Sequence, residues 1–204
     1  MIGVIDYGAG NLRSVCNSLK KLSVDSTLIR SPEDIKGIQS IIFPGVGSFG
    51  DSSEQLKIQG LFQPIKEWLE KDRPFLGICI GFQMLFEKSY ESLNSEGFGI
   101  IPGKVVKFPE VDSLKVPHMG WNEIKTINSS DPIWQGIKTS THFYFVHSYY
   151  PEPIDSKSVS STTNYGHEFT SSVRCGNIFG TQFHPEKSQV AGLRLISNFL
   201  QLTQ

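Results

Sequence analysis

Hydrophobic and polar positions along the first half of the chain predict buried strands that alternate with amphipathic helices. Residues 2–6 form a nearly continuous apolar run, which is typical of a strand covered on both faces of a parallel sheet. Residues 11–22 repeat their apolar side chains at helical spacing, and Cys16 lies on the apolar face of that helix. The same two patterns continue, with strands predicted over 24–30, 40–43 and 74–78 and helices over 62–71 and 82–90.

The second half of the chain is richer in strands. Short apolar pieces separated by turn residues predict strands over 104–108, 121–127, 143–146, 158–163, 169–174 and 178–183, before a last helix over 190–202. Residues 92–99 and 151–158 are predicted to be loops. We therefore expect an α/β fold with a mixed, mainly parallel sheet flanked by helices, built as one domain over residues 1–204.

Charge and composition exclude several classes of function. The net charge is −1, with 19 basic and 20 acidic residues spread along the sequence, so neither a nucleic-acid surface nor a membrane patch is expected. Three cysteines without a CxxC pair favour a reducing compartment, and Cys175 is expected to pack at a strand end. No signal peptide or membrane-spanning run is found, so a cytoplasmic protein is predicted. The histidines lack ligand spacing and no cofactor motif is complete, so we expect neither metal nor cofactor.

The segment Gly77-Ile78-Cys79-Ile80-Gly81 is the strongest chemical signal. A nucleophile flanked by glycines at the turn from a strand to a helix is typical of a nucleophile elbow. The glycines permit a tight turn without a Cβ clash, and the positive end of the following helix favours a thiolate at Cys79. The N–H of Ile80 then becomes a candidate oxyanion donor. The alternative is a small cysteine buried between two packing glycines.

Cys79 needs a base, and His184 is the best candidate among the histidines. It ends a predicted strand, and Glu186 follows two residues later, on the same side of an extended chain, where its carboxylate can orient the imidazole. Both Cys79 and His184 are expected at one rim of the sheet. The glycine-rich turn around Val46 and Gly47 also ends a strand, and could supply a second oxyanion donor. A surface turn at His184 and an ordinary loop at Gly47 are the alternatives.

These three features resemble those of the class I (triad) glutamine amidotransferases, which implies their flavodoxin-like fold. Within that group, five ordered blocks are similar to the family of glutaminase subunits of imidazole glycerol phosphate synthase. The blocks cover residues 6–11, 44–49, 117–122, 143–149 and 183–188, so the match spans nearly the whole chain.

The resemblance implies hydrolysis of L-glutamine through a γ-glutamyl thioester on Cys79, with His184 as acid and base and Glu186 as its orienting partner. It further implies that the turn at Val46 and Gly47 must reorient before its N–H can donate together with that of Ile80. Residues matching the family's substrate-binding positions are Gln83, Glu91, Ser148 and Tyr149.

The resemblance also implies a partner, a separate (βα)₈-barrel cyclase that receives the ammonia and makes imidazole glycerol phosphate and aminoimidazole carboxamide ribotide in histidine biosynthesis. Residues at positions similar to the family's docking face are Asn11, Trp121, Tyr144 and Lys187. Three alternatives remain open from the sequence. They are a paralogous glutaminase that supplies ammonia for cell-surface sugar amidation, a free-standing γ-glutamyl cysteine hydrolase, and a docking subunit without activity.

Overall fold

The computed structural model describes residues 1–8, 10–110 and 114–202. The strands within these ranges are β1 (Ile2–Ile5), β2 (Ser26–Ile29), β3 (Ser40–Gly45), β4 (Phe75–Cys79), β5 (Lys88–Ser89), β6 (Ser92–Glu96), β7 (Gly103–Lys107), β8 (His118–Glu123), β9 (Lys125–Thr126), β10 (His142–His147), β11 (Tyr149–Pro153), β12 (Val159–Tyr165), β13 (His167–Cys175) and β14 (Ile178–Thr181). The α-helices are α1 (Leu12–Lys21), α2 (Phe49–Ile58), α3 (Phe62–Glu70), α4 (Ile80–Gln83) and α5 (Gln189–Gln201).

The largest sheet has eight strands in the order β2-β1-β3-β4-β14-β13-β12-β9. The strands from β2 to β14 pair in parallel, whereas β13, β12 and β9 continue the sheet in antiparallel pairs. This arrangement confirms the predicted mixed, mainly parallel sheet. Because β3, β4 and β14 are parallel neighbours, their carboxyl ends meet at one edge, where ligand sites of open α/β sheets are found.

Helices cover both faces of this sheet, as the continuous apolar runs of its strands require. Val15 of α1 and Leu195 of α5 pack in one apolar layer, and Leu56 of α2 and Ile65 of α3 pack in the other. Successive side chains of a strand point to opposite faces, so a strand between two layers must be apolar at nearly every position. Burial of all four residues of β1 follows from this requirement.

Two smaller sheets are built from the second half of the chain. The strands β8 and β10 form an antiparallel ribbon, and β11, β7, β5 and β6 form a four-stranded sheet in that order. Residues 121–127, predicted as one strand, are divided between the ribbon and the main sheet. The chain changes sheets at Ile124, whose side chain is buried and whose N–H donates to the carbonyl of Thr141.

The predicted helix over 82–90 is wrong. The helix after the elbow, α4, ends at Gln83, and the next carbonyls are taken by a returning segment. Phe98 N–H donates to Met84 O at 2.7 Å, and Ile100 N–H donates to Leu85 O at 2.9 Å. A longer helix would need those carbonyls for its own ladder, so tertiary pairing ends it after one turn.

Other expectations fail where the strands or turns depend on distant partners. The segments predicted as loops over 92–99 and 151–158 contain β6 and most of β11, both of which pair within the four-stranded sheet. Helix α2 was not predicted, although Ser48 caps it by accepting a hydrogen bond from Asp51 N–H at 3.1 Å. Cys175 ends β13 as expected but is exposed, because a tight turn to β14 follows it.

Candidate active site

The register of three parallel strands builds the site. Gly45, the last residue of β3, lies beside Cys79, the last residue of β4. On the other side of β4, Thr181 of β14 lies beside Ile78. The residues immediately after β14, from Gln182 to His184, therefore reach the same edge as the cysteine, although the sequence separates them by more than a hundred positions.

The strained residue of the elbow is Cys79. Cys79 has a φ of +55°, a left-handed conformation that is uncommon for a residue with a side chain. The flanking glycines are needed for close packing, since a Cβ on Gly77 would lie 2.5 Å from the carbonyl oxygen of Gly81. A Cβ on Gly81 would lie 2.0 Å from the carbonyl oxygen of Phe43 on β3. The predicted elbow is present, but α4 is a single turn, so its dipole can contribute little to a thiolate.

His184 and Glu186 form a buried pair next to the sulfur. His184 Nδ1–H donates to Glu186 Oε1 at 2.8 Å, and each side chain is 1% exposed. Burial lowers the pKa of His184, but the Cys79 sulfur and the Glu186 carboxylate outweigh it and raise that pKa to about 10. Nε2 of His184 is buried and has no hydrogen-bond partner among the described residues, so it is available to exchange a proton with Cys79.

Neighbouring polar groups hold this pair in place. Asn11 Nδ2 donates to Glu186 Oε1 at 3.2 Å, and Asn11 Oδ1 accepts from Ser14 Oγ at 2.7 Å, which fixes the orientation of the Asn11 amide. Ser188 Oγ donates to the carbonyl of His184 at 2.6 Å and so fixes the position of the His184 backbone. Asn11, predicted at a docking face, therefore also contacts the carboxylate that orients His184.

The glycine turn after β3 lies against the elbow. A Cβ on Gly45 would come within 2.7 Å of the Ile80 Cβ, and Gly47 has a φ of +112°, which favours glycine. The Tyr7 hydroxyl donates to the carbonyl of Val46 at 3.4 Å, and burial raises the pKa of Tyr7 to about 12, so this donor stays protonated. Since a peptide bond is planar and trans, the Gly47 N–H points away from Tyr7. As the first residue of α4, Ile80 has an N–H that its helix does not use.

A cavity of about 340 Å³ opens at Cys79. Its lining contains all of the residues predicted to hold the substrate or its oxyanion: Val46, Gly47, Ile80, Gln83, Glu91, Ser148 and Tyr149. Glu91 Oε2 accepts from Phe49 N–H at 2.8 Å, while burial raises the pKa of Glu91. A carboxylate held in this way would be stabilised by a cationic group bound in the cavity. Gln83 donates to the carbonyl of Tyr149 at 3.0 Å and so braces the cavity wall.

Sequence reasoning missed two parts of this site. Gln182 lies next to the sulfur, with its Nε2 3.7 Å from Cys79 Sγ. Glu186 lies in a 3₁₀ turn, Pro185–Lys187, and not on the extended chain that was expected to place it beside His184. Counting back two residues from His184 along the predicted strand would nevertheless have placed Gln182 on the same side. His118 and His147 form a buried pair, with His118 Nδ1 2.9 Å from His147 Nε2. Their pairing depends on β8 lying beside β10, and no sequence signal shows that neighbour relation.

The residues predicted at a docking face lie together beside the His184–Glu186 pair. Trp121 of β8 is 48% exposed and packs against Tyr144 of β10 with ring centroids 6.1 Å apart. Lys187 Nζ lies 5.6 Å from the Tyr144 ring centroid, and Met119 is also exposed on the same ribbon. The carbonyl of Tyr144 accepts from His184 N–H at 2.8 Å. This surface, the Trp121–Tyr144 face, is therefore hydrogen-bonded directly to the backbone of His184.

Comparison with known proteins agrees with this geometry. The sequence profile of the class I glutamine amidotransferases matches residues 3–202. The chain belongs to the class I glutamine amidotransferase family. Solved structures of this fold superimpose over almost the whole chain. A structure described as a glutamine amidotransferase gives a TM-score of 0.78 at 20% identity, covering 99% of this chain and 98% of the other. The PurLQS structure from Thermotoga maritima also gives 0.78 at 20% identity, covering 100% and 98%.

Nearer relatives of this amidotransferase carry one name. Imidazole glycerol phosphate synthase subunit HisH 1 of Campylobacter jejuni subsp. jejuni is 45% identical over 99% of this chain and 100% of its own length. Subunit HisH of Methanocaldococcus jannaschii is 46% identical over 99% and 100%, and that of Rhodopirellula baltica is 45% identical over 98% and 96%. Similarity at this level over the whole length makes the chain an enzyme of the HisH type.

Two further observations concern the described residues alone. No helix among residues 1–8, 10–110 and 114–202 is long and apolar enough to cross a membrane. Within the same residues, no group of three or more histidine, cysteine, aspartate or glutamate side chains is arranged to hold a metal ion.

Proposed function

We propose that this chain is the glutaminase subunit of an imidazole glycerol phosphate synthase and releases ammonia from L-glutamine for a separate cyclase subunit. The observation that carries this proposal is the strained Cys79, which lines the 340 Å³ cavity and lies beside a buried His184–Glu186 pair. The names of the HisH relatives supply the pathway, histidine biosynthesis.

The chemistry follows from the positions of three side chains. The Cys79 thiolate attacks the side-chain amide carbon of glutamine, and the resulting oxyanion is bound by the N–H of Ile80 and an N–H of the Val46–Gly47 turn. His184, protonated by the thiol, gives its proton to the departing ammonia and leaves a γ-glutamyl thioester. His184 then takes a proton from water, hydroxide attacks the thioester carbonyl, and glutamate leaves as the sulfur returns to the thiolate.

Polar groups at the cavity wall suit the α-substituents of glutamine. The Glu91 carboxylate can bind the α-ammonium group, which would offset the unfavourable burial of this carboxylate. Ser148 and Tyr149 also line the cavity, and their backbone can bind the α-carboxylate and ammonium groups. The Gln83 amide, which also lines the cavity, donates to the carbonyl of Tyr149 and helps to hold that backbone in place.

The partner is a (βα)₈-barrel cyclase that docks on the Trp121–Tyr144 face. Trp121 is exposed and packs against the half-buried Tyr144, and tryptophan and tyrosine are typical of the residues that dominate binding energy in protein interfaces. Because this face is hydrogen-bonded to the backbone of His184, docking could couple directly to the catalytic site. Ammonia released at Cys79 would then pass into the barrel without entering solvent.

Replacement of the nucleophile tests the proposal. In a complex of this chain with a barrel cyclase, Cys79→Ala is expected to abolish imidazole glycerol phosphate synthesis from glutamine, because no thioester can form. Synthesis from added ammonium salt should be unchanged, since the cyclase then receives ammonia directly. Product formation from each nitrogen source is the measurement.

The control is Cys175→Ser, which alters an exposed thiol on the hairpin between β13 and β14 and should leave both activities intact. Equal loss of both activities in Cys79→Ala would show that Cys79 is structural. Failure of the unaltered chain to support synthesis from glutamine with any barrel cyclase would refute the proposed function itself.

A further inference from the structure

Gln182 occupies the position beside the nucleophile on the strand next to the elbow. It follows β14 directly, is fully buried, and its N–H donates to the carbonyl of Ser171 on β13 at 2.8 Å. Continuing the pairing of Thr181 with Ile78 by one residue brings Gln182 beside Cys79. The Gln182 Nε2 is 3.7 Å from the Cys79 sulfur, which is within the range of an N–H···S hydrogen bond.

The hydrogen-bond network determines which end of the Gln182 amide faces the sulfur. The carbonyl of Tyr149 can only accept, so the Gln83 group 3.0 Å from it must be the NH₂ group. The same NH₂ group lies 3.2 Å from the Gln182 side chain, which must therefore present its oxygen there. The remaining end of Gln182, its NH₂ group, is directed at Cys79.

The Tyr149 carbonyl that sets this orientation is itself held firmly. His147 Nδ1 lies 2.8 Å from it and must donate, so His147 Nε2 accepts from His118 Nδ1. Asn122 Nδ2 completes the series by donating to His118 Nε2 at 3.2 Å. Each donor in this series points from Asn122 toward the Tyr149 carbonyl. The tautomers of His118 and His147 are therefore fixed by their partners, and the position of the carbonyl does not depend on an arbitrary choice between them.

We propose that Gln182 is a further catalytic residue, whose side-chain N–H donates a hydrogen bond to the Cys79 thiolate. This inference rests on the proposed glutaminase reaction. The thiolate exists twice in that reaction, before the attack on the amide and again when the thioester is hydrolysed and the carbon–sulfur bond breaks. A neutral amide donor stabilises the anion at both points without competing with His184 for the proton.

Two substitutions separate donation to sulfur from the rest of the network. Gln182→Met keeps the size of the side chain but removes the donor. Gln182→Glu keeps an oxygen to accept from Gln83 and turns a carboxylate oxygen toward the sulfur. Gln59→Met is the matched control, because the Gln59 side-chain oxygen is also buried but lies at the end of α2, away from the site.

Two quantities are measured. One is kcat/KM for glutamine in the cyclase complex. The other is the pH dependence of Cys79 alkylation by iodoacetamide, which peptide mass distinguishes from alkylation of Cys16 and Cys175. Loss of a hydrogen bond to a charged group predicts a fall in kcat/KM of about 10- to 100-fold for Gln182→Met. The midpoint of the pH profile of alkylation should rise by about one pH unit for Gln182→Met. It should rise further for Gln182→Glu, because a carboxylate then lies next to the thiolate. Gln59→Met should match the unaltered chain in both.

Two results with the variants would overturn the proposal. One is a kcat/KM within twofold of the unaltered chain for both Gln182 variants. The other is a fall in kcat/KM with an unmoved alkylation profile, which would make Gln182 a packing residue. In the unaltered chain, the Gln182 side-chain amide protons should shift in NMR spectra as Cys79 titrates, and an unchanged resonance would also refute the bond. Alkylation and NMR do not require glutamine turnover, so they test Gln182 even if the proposed function fails.

Discussion

The described residues hold two buried histidine sites, and the pKa values of their imidazoles are shifted in opposite directions. At the catalytic site, the pKa of His184 is raised to about 10 by the Cys79 sulfur and the Glu186 carboxylate, despite burial. In the histidine pair, burial lowers the pKa of His118 to about 4. Burial and the neighbouring His118 lower that of His147 to about 3.

The difference shows that burial alone does not fix the charge of an imidazole. Desolvation disfavours the cation at both sites, but only His184 has anionic partners that offset it. The hydrogen bonds of His147 go to a carbonyl and to another neutral ring, so protonation would place a cation there without a counter-charge. One site is therefore suited to proton transfer and the other to holding backbone in place.

The largest expected effect comes from removing the imidazole whose pKa is raised. His184→Asn in the cyclase complex should reduce glutamine hydrolysis on the order of 10³-fold, because general acid–base catalysis of the two steps is lost. Glutamate release is the measurement, and synthesis from ammonium salt should be retained. His142→Asn, at an exposed position on β10, is the control and should be fully active. Substantial turnover by His184→Asn would assign the base elsewhere.

The next effect concerns stability rather than chemistry. His147→Phe leaves the His118 Nδ1–H without its acceptor and removes one donor from the Tyr149 carbonyl. A buried polar group without a partner costs about 1–3 kcal/mol, so the free energy of unfolding in urea at pH 7 should fall by about that amount. His142→Asn should change it by less than about 0.5 kcal/mol.

The pH dependence of the same variant sharpens this prediction. The folded pKa values of His118 and His147 lie below the ordinary value of 6.5, so below that pH the unfolded chain binds protons that the folded chain excludes. Each histidine then lowers stability by up to about 1.4 kcal/mol per pH unit as pH falls from 6.5 toward 4. His147→Phe should make this acid slope shallower. If the slope of stability against pH were unchanged, the two histidines would have to bind protons in the folded chain as readily as in the unfolded chain.

The smallest expected effect is at the edge of the catalytic site. Asn11→Ala removes one donor to Glu186 and leaves the bond from His184, so kcat should fall only about threefold to tenfold. Asn17→Ala, on the exposed side of α1, is the matched control. Affinity for the cyclase should be measured in parallel. Weaker docking with an unchanged kcat would show that Asn11 serves the interface and not the catalytic carboxylate.

Local patterns predicted the elements whose stability depends on their own residues. The buried strands β1 and β4, helix α1 and the elbow at Cys79 follow from apolar runs, helical spacing and paired glycines. The helix after the elbow was predicted too long because the carbonyls of Met84 and Leu85 are taken by residues from a distant segment. Strands β6 and β11 were missed for a similar reason, since only their neighbours in the four-stranded sheet hold them extended.

The sequence by itself determined the parallel α/β core, the glycine-flanked elbow at Cys79, and the position of Glu186 two residues after His184, because these depend on short-range spacing and on the periodicity of the core elements. Only the tertiary structure decided that Gln182 lies against the sulfur and that His118 contacts His147. It also decided that the pKa values of these two imidazoles are lowered while that of His184 is raised. Strand register sets those contacts, and the charges that folding brings nearby set those pKa shifts. The order of residues along one segment records neither the register nor the nearby charges.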